Sequence, residues 1–168
     1  MKCAVVIPTL NAVRQGYWQE VLNALASQTI QIDLKVIVDS SSTDQTRALA
    51  LAYGWKSIGI HRSNFNHGLI RTRMLHYLHR RGFDTVIFLS QDVIPVAPDS
   101  LEKLTCFLWR YNIAGCYGKQ ISQHEHSLNA WQRNRCYPDQ SCMKSISSVA
   151  EDGLMLSLIH ISEPTRPY

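Results

Sequence analysis

Three short apolar runs, each halted by a polar cluster, constrain this chain more than any other feature of it. The clearest is Val86-Ile87-Phe88-Leu89, followed by Ser90-Gln91-Asp92 and then Pro95. Residues of β-branched and aromatic type in an unbroken row read as a fully buried strand, and a proline lacks the N–H that ladder pairing needs. Cys3-Ala4-Val5-Val6-Ile7 before Pro8-Thr9-Leu10-Asn11 repeats the pattern, as does Leu34-Lys35-Val36-Ile37-Val38 before Asp39-Ser40-Ser41. Runs of this length cannot span a membrane or serve as a secretory leader, so an internal sheet is their natural place.

The segments between the runs carry helical spacing. Residues 15–28 place Trp18, Val21, Leu22, Leu25 and Ala26 on one side of a helix. The capping-rich turn Ser40-Ser41-Ser42-Thr43-Asp44 leads into a helix reaching about Tyr53, which Gly54 closes. A short third strand over 56–60, a helix over 69–80 ended by Gly82, a strand over 85–89, a helix over 99–110 and a fifth strand over 113–118 complete the series. Strand and helix in alternation predict an α/β domain with a doubly wound, mostly parallel sheet. After Ser122 the alternation fades into a long polar stretch, as a functional or mobile loop would read.

In such a sheet ligands bind beyond the carboxyl ends of the strands. Three polar clusters fall there: Thr9 with Asn11, Asp39 with Ser40 and Ser41, and Gln91 with Asp92. Asp92 either caps the turn before Pro95 or acts as an oxygen ligand for Mg²⁺ or Mn²⁺ against substrate phosphates. Asp39 either caps the helix that follows it or reads a ligand, and His67 either caps or packs a helix start or serves as a ligand. The glycine fingerprint of a dinucleotide-binding turn is missing after the first strand, where Pro8-Thr9-Leu10-Asn11-Ala12-Val13 stands, and no phosphate-binding P-loop occurs. A nucleotide would therefore be held by side chains and a metal.

Charge and cysteine usage narrow the partners. A formal net charge of +4 over 168 residues suits an acidic small substrate and is no nucleic-acid footprint. The five cysteines, Cys3, Cys106, Cys116, Cys136 and Cys142, form no C-x-x-C pair and no even framework, which points to a reducing, cytoplasmic setting. His124-Glu125-His126 lacks a third ligand at metal spacing and reads as a surface loop. The basic residues of 71–81 leave contact with an anionic membrane surface open.

Five motifs in order resemble the inverting family 2 glycosyltransferases of the GT-A (Rossmann-like) fold. Ile7-Pro8-Thr9-Leu10-Asn11 and Val38-Asp39-Ser40-Ser41-Ser42-Thr43-Asp44 look like the first two. Phe65-Asn66-His67-Gly68 with Arg71, Ser90-Gln91-Asp92 and Tyr117-Gly118-Lys119-Gln120 are similar to a rhamnosyltransferase-like branch, and Tyr137-Pro138 fits it too. The resemblance implies that Asp39 bonds a pyrimidine base with Thr9 near it, and that Arg71 approaches the diphosphate. It also places Asn11 and Gln91 at the nucleotide and Asp92 at the metal. The donor would be a dTDP- or UDP-sugar, with dTDP-rhamnose as one candidate, and the acceptor a glycan or lipid-linked glycan. Rival readings are a metal-dependent nucleotidyltransferase and a non-catalytic nucleotide-sugar-binding domain.

Residues 1–155 then form a partial GT-A domain, the nucleotide-sugar-binding half, truncated at its carboxyl side. The stretch 156–168 resembles the translation of a transposon-derived sequencing adapter. Glu151-Asp152 follows Tyr137-Pro138 too closely to be the family's general base, so that base is expected to be absent and transfer by this chain impaired.

Overall fold

A computed structural model describes residues 1–119 and 121, and the chain divides after Cys116 into two compact units. Among the described residues every helix and strand lies in the first unit, Met1–Cys116.

Four strands form one sheet: β1 (Cys3–Thr9), β2 (Leu34–Asp39), β3 (Lys56–Gly59) and β4 (Thr85–Phe88). Their spatial order is β3-β2-β1-β4, and all three neighbouring pairs are parallel. β1 is therefore central, buried along all seven of its residues, and the order reverses between it and β4. That reversal is where an open parallel sheet leaves a crevice at its carboxyl edge.

Helices cover both faces. α1 (Trp18–Ala26) buries Trp18, Val21, Leu22 and Leu25, the one-sided spacing read from the sequence. With Ala50 of α2 (Thr46–Ala52) and Leu101 of α4 (Ser100–Arg110), these residues pack on Val5, Ile7 and Ile37. The opposite face holds Ala4, Val6, Val36 and Val38 against Ile70, Met74 and Leu78 of α3 (His67–His79). Alternation along β1 and β2 sends successive side chains to opposite layers, and it explains why both strands read as continuous apolar runs. Each fully buried Leu, Ile or Val of these layers contributes about 1.5–3 kcal/mol.

The amino edge is sealed by acidic side chains on backbone donors. Asp33 accepts from Cys3 N at 2.8 Å and Asp84 from Lys2 N at 2.7 Å. Burial, with the Asp33 charge nearby, pushes the Cys3 thiol up to about 11, so it behaves as a small apolar group. Cys106, by contrast, is exposed.

Several elements differ from the sequence expectation. α1 starts at Trp18 rather than near residue 15 because Val13–Gln15 makes a separate 3₁₀ turn, closed by Gly16 at φ 91°. The fifth strand expected over 113–118 is absent: Asn112 turns left-handed at φ 48° after α4, and Ile113 to Lys119 enter no ladder. β4 is not fully buried. Only Thr85 is, while Val86, Ile87 and Phe88 are half-buried, because β4 has a single neighbour among the described residues.

Candidate functional site

Parallel pairing puts the ends of β1 and β2 level, with Thr9 opposite Asp39. Both are 1% exposed, and Thr9 Oγ1 donates to Asp39 Oδ1 at 3.0 Å. Ser42 donates to the same carboxylate twice, from Oγ to Oδ1 at 2.5 Å and from N to Oδ2 at 3.0 Å. Asp39 thus holds its own loop through Ser42, three residues on, and does not cap α2, whose flanking Gln45 makes no side-chain cap. Three donors of the protein engage a carboxylate that the resemblance assigns to a base.

The loop after β1 is tied to the loop after β2 and the start of α2 through Asn11, Val13 and Arg14. Asn11 N donates to Ser42 Oγ at 2.8 Å, and Asn11 Oδ1 accepts from Thr43 N at 2.8 Å. Val13 N donates to Thr46 Oγ1 and Arg14 N to Asp44 Oδ2. Thr46 in turn donates to Asp44 Oδ1 through its hydroxyl and its N–H, while its carbonyl accepts from Trp18 Nε1 at 3.1 Å. Asn11 and Ser41 sit at φ 49° and 65°, a region that costs a non-glycine residue about 1 kcal/mol or more, as ligand-holding loops often do.

Burial raises the Asp44 carboxyl, but the Thr46 hydroxyl and N–H, the Arg14 N–H and the Arg14 charge outweigh it and hold the group below its ordinary value.

The β4 side is joined differently. Gln91 Oε1 accepts from Leu10 N at 2.7 Å and Gln91 Nε2 donates to Leu10 O at 3.3 Å. One amide thereby mimics a strand partner and bridges the reversal point. Asp92 follows in the turn closed by Val93 N on Ser90 O, and it is exposed. Among the described residues no group of three or more His, Cys, Asp or Glu could hold a metal ion. A lone carboxylate fits a hard cation that brings phosphate oxygens as its other ligands, which is how Mg²⁺ is commonly held.

α3 begins at this edge, since it returns the chain from the end of β3 to the start of β4. Its N-cap is Asn66, which accepts from Leu69 N at 2.9 Å, and not His67, whose ring packs edge-on against Phe65 at 4.5 Å. Arg71 is half-buried one turn in, and its Nε, shielded from water, lacks a hydrogen-bond partner among the described residues. So does the hydroxyl of Ser40, which is 1% exposed. Alternation past β2 carries Ser40 to the layer of Val36 and Val38, the one α3 covers.

The structure therefore joins Thr9 with Asp39, and fixes Asn11 and Gln91 in the same edge. It shows no hydrogen bond linking Arg71 to those residues. Ser42 and Asp44 were read from sequence as members of a capping-rich turn and of the second motif, with no bonding role assigned to them or to Thr46, yet they hold the site's shape. Their signal was spacing: a carboxylate three residues before Ser42 and another two before Thr46 can each reach a backbone N–H. Glu151-Asp152, Tyr137-Pro138, His124 to His126 and the stretch 156–168 lie outside the described residues.

Comparison with known proteins adds a family. The model for glycosyl transferase family 2 matches residues 4–151. An O-antigen chain rhamnosyltransferase of Salmonella anatum is 34% identical over 151 residues, covering 89% of this chain and 47% of that protein. A second, from Salmonella typhimurium, is 34% identical over 158 residues, covering 92% and 48%. The chain spans about half the length of these curated relatives. Among solved structures, S. aureus TarS 1–349 in complex with UDP matches with a TM-score of 0.51 at 25% identity, over 73% of this chain and 38% of that one. The parallel sheet and its flanking helices have the GT-A architecture.

Proposed function

This chain belongs to glycosyl transferase family 2, and we propose that it forms the donor-binding part of an inverting enzyme that moves a sugar from a nucleotide diphosphate to a glycan or lipid-linked acceptor. Rhamnose from dTDP-rhamnose is the favoured sugar, because the two Salmonella relatives are named O-antigen chain rhamnosyltransferases. The observation that carries the reading is the carboxyl edge itself: Thr9 and Asp39 close the ends of β1 and β2, and Gln91 ties the β1 loop to the β4 side across the reversal of strand order, where such sheets take nucleotides.

Each residue has a task within this reading. Asp39, already bonded to Thr9 and Ser42, shapes the pocket for the base, and the unpartnered Ser40 hydroxyl on the α3 side supplies a polar contact. Arg71 offers a guanidinium with an unused shielded N–H to the diphosphate, and a charge-assisted fork of this kind favours departure of a dianionic leaving group. Asp92 would hold Mg²⁺ or Mn²⁺, which neutralises charge on the phosphates when bound. Inversion also calls for a carboxylate base on the acceptor side, and no described residue is assigned to it.

Calorimetric titration of UDP and dTDP, with and without Mg²⁺, tests the reading. Weak, Mg²⁺-dependent binding is expected, and Asp92→Ala should erase the metal dependence while leaving the fold intact. Equal affinity with and without metal in the native chain would remove Asp92 from the site. Sugar transfer or donor hydrolysis by the full-length parent separates an enzyme from a binding domain.

A further inference from the structure

The chain's excess positive charge is concentrated on one helix. Residues 67–82 contain Arg71, Arg73, Arg80 and Arg81 and no acidic residue. With those four set aside, thirteen basic residues remain against thirteen acidic ones, so this segment accounts for the whole net charge of +4. Leu69, Arg73, His76 and Arg80 recur at helical spacing on the outer side of α3, with Tyr77 beside them. Arg73, His76, Tyr77, Arg80 and Arg81 line a shallow surface hollow, and the Arg81 guanidinium lies 4.4 Å over the Tyr77 ring. Leu69, Leu75 and Tyr77 are 42–49% exposed.

Neither the core nor the donor edge explains this surface. The inner side of α3 is supplied by Ile70, Met74 and Leu78. The helix dipole favours cations in the last turn, which covers His76 and His79, and at the C-cap, Arg80, but Arg73 stands before them. Tyr77 lies about 15 Å along the axis from the helix start, so the hollow is away from the end that faces the nucleotide.

From this arrangement we infer that the outer side of α3 is a docking surface for an anionic lipid bilayer. The chemistry fits that occupant on two counts. Arginines pair with lipid phosphates, and exposed leucine and tyrosine side chains enter the boundary between headgroups and acyl chains. A soluble polyanion would use the charges and leave the leucines without a role. A patch of this size gives reversible attachment, since stable anchoring takes a second signal. The inference does not rest on the donor chemistry, and a chain that bound no nucleotide could still show it.

Flotation of the 168-residue chain with phosphatidylcholine vesicles, alone or carrying phosphatidylglycerol, tests it at low and at physiological salt. Association is expected with the anionic vesicles only, and Arg73→Gln and Arg80→Gln should each weaken it about fivefold. Arg14→Gln with Arg110→Gln, on other elements, should leave it unchanged. In the native chain, anionic vesicles should shield Arg73 and Arg80 from phenylglyoxal, a readout that needs no variant. Leu69→Ala should weaken vesicle binding while sparing any binding to heparin. Equal flotation with neutral vesicles, equal loss from the control pair, unshielded Arg73 and Arg80, or heparin binding that matches vesicle binding in every variant would each overturn the assignment.

Discussion

The two sides of β1 hold their loops in contrasting ways. Toward β2, the pairing runs six residues in register, ends on two buried polar side chains, and is continued by a chain of hydrogen bonds through Ser42, Asn11, Thr43 and Thr46. Toward β4, it runs four residues beside a half-buried strand and is continued by the single amide of Gln91. The first side is preorganised before any ligand arrives, whereas the second places one exposed carboxylate on a turn. Within the proposed function shape and charge are thus separated: the many-bonded β2 side would hold the nucleoside, and the β4 side would be completed by a bound cation.

The largest expected break in this contrast comes from Asp39→Ala. It strands the buried Thr9 Oγ1 and two half-buried Ser42 donors, at a cost of about 3 kcal/mol. Urea denaturation measures it. The matching Asp92→Ala, on an exposed turn, should cost clearly less. If the two variants unfold at the same denaturant concentration, the asymmetry between the sides is wrong.

A smaller effect follows from Gln91→Ala, which leaves the Leu10 N–H and carbonyl to find water and should cost about 1–3 kcal/mol. Gln91→Glu should recover part of it, since a carboxylate still accepts from Leu10 N but offers nothing to Leu10 O. No difference between the two variants would show that the amide bridge carries no stability.

Asp44→Asn sharpens the β2 side through pH. The folded carboxyl titrates below its ordinary value, so its stabilisation is fully present above that value and fades as pH falls through the folded one. Native and variant stabilities should therefore converge in strong acid and separate above about pH 4. A gap that stays constant across that window would contradict the assignment. The smallest effect is chemical: Cys106 should react with iodoacetamide at pH 8 while buried Cys3 does not, and mass mapping of the alkylated peptides reads this directly.

Much of this edge was legible beforehand, and the reasons differ by residue. Apolar runs in β1 and β2 betrayed a sheet covered on both faces, and the polar residues that stop them marked the ligand edge. Val86 to Phe88 have the same composition as a central strand yet lie at a margin, because burial depends on neighbours that composition does not name. The expected strand over 113–118 failed for a local reason: glycine-rich sequence follows a left-handed Asn112, and no partner strand lies alongside among the described residues. The bonds that Asp39, Asn11 and Gln91 make within the protein were not legible, for a third reason. A side chain's chemistry is visible in sequence, but the donors that reach it first are set by folding, and here they are Ser42, Thr43 and Leu10.

The position of β1 also bears on how the protein is made. Its first residue pairs with Leu34's strand after some thirty residues of synthesis, but Cys3 meets Thr85 only after more than eighty. At roughly 5–20 residues per second, about 4–16 seconds separate the emergence of the central strand from that of its second partner. Throughout that interval the apolar Cys3–Thr9 strand has one open edge, the kind that recruits stray strands. Of the four strands, the one at the heart of the sheet leaves the ribosome first and is among the last to be enclosed.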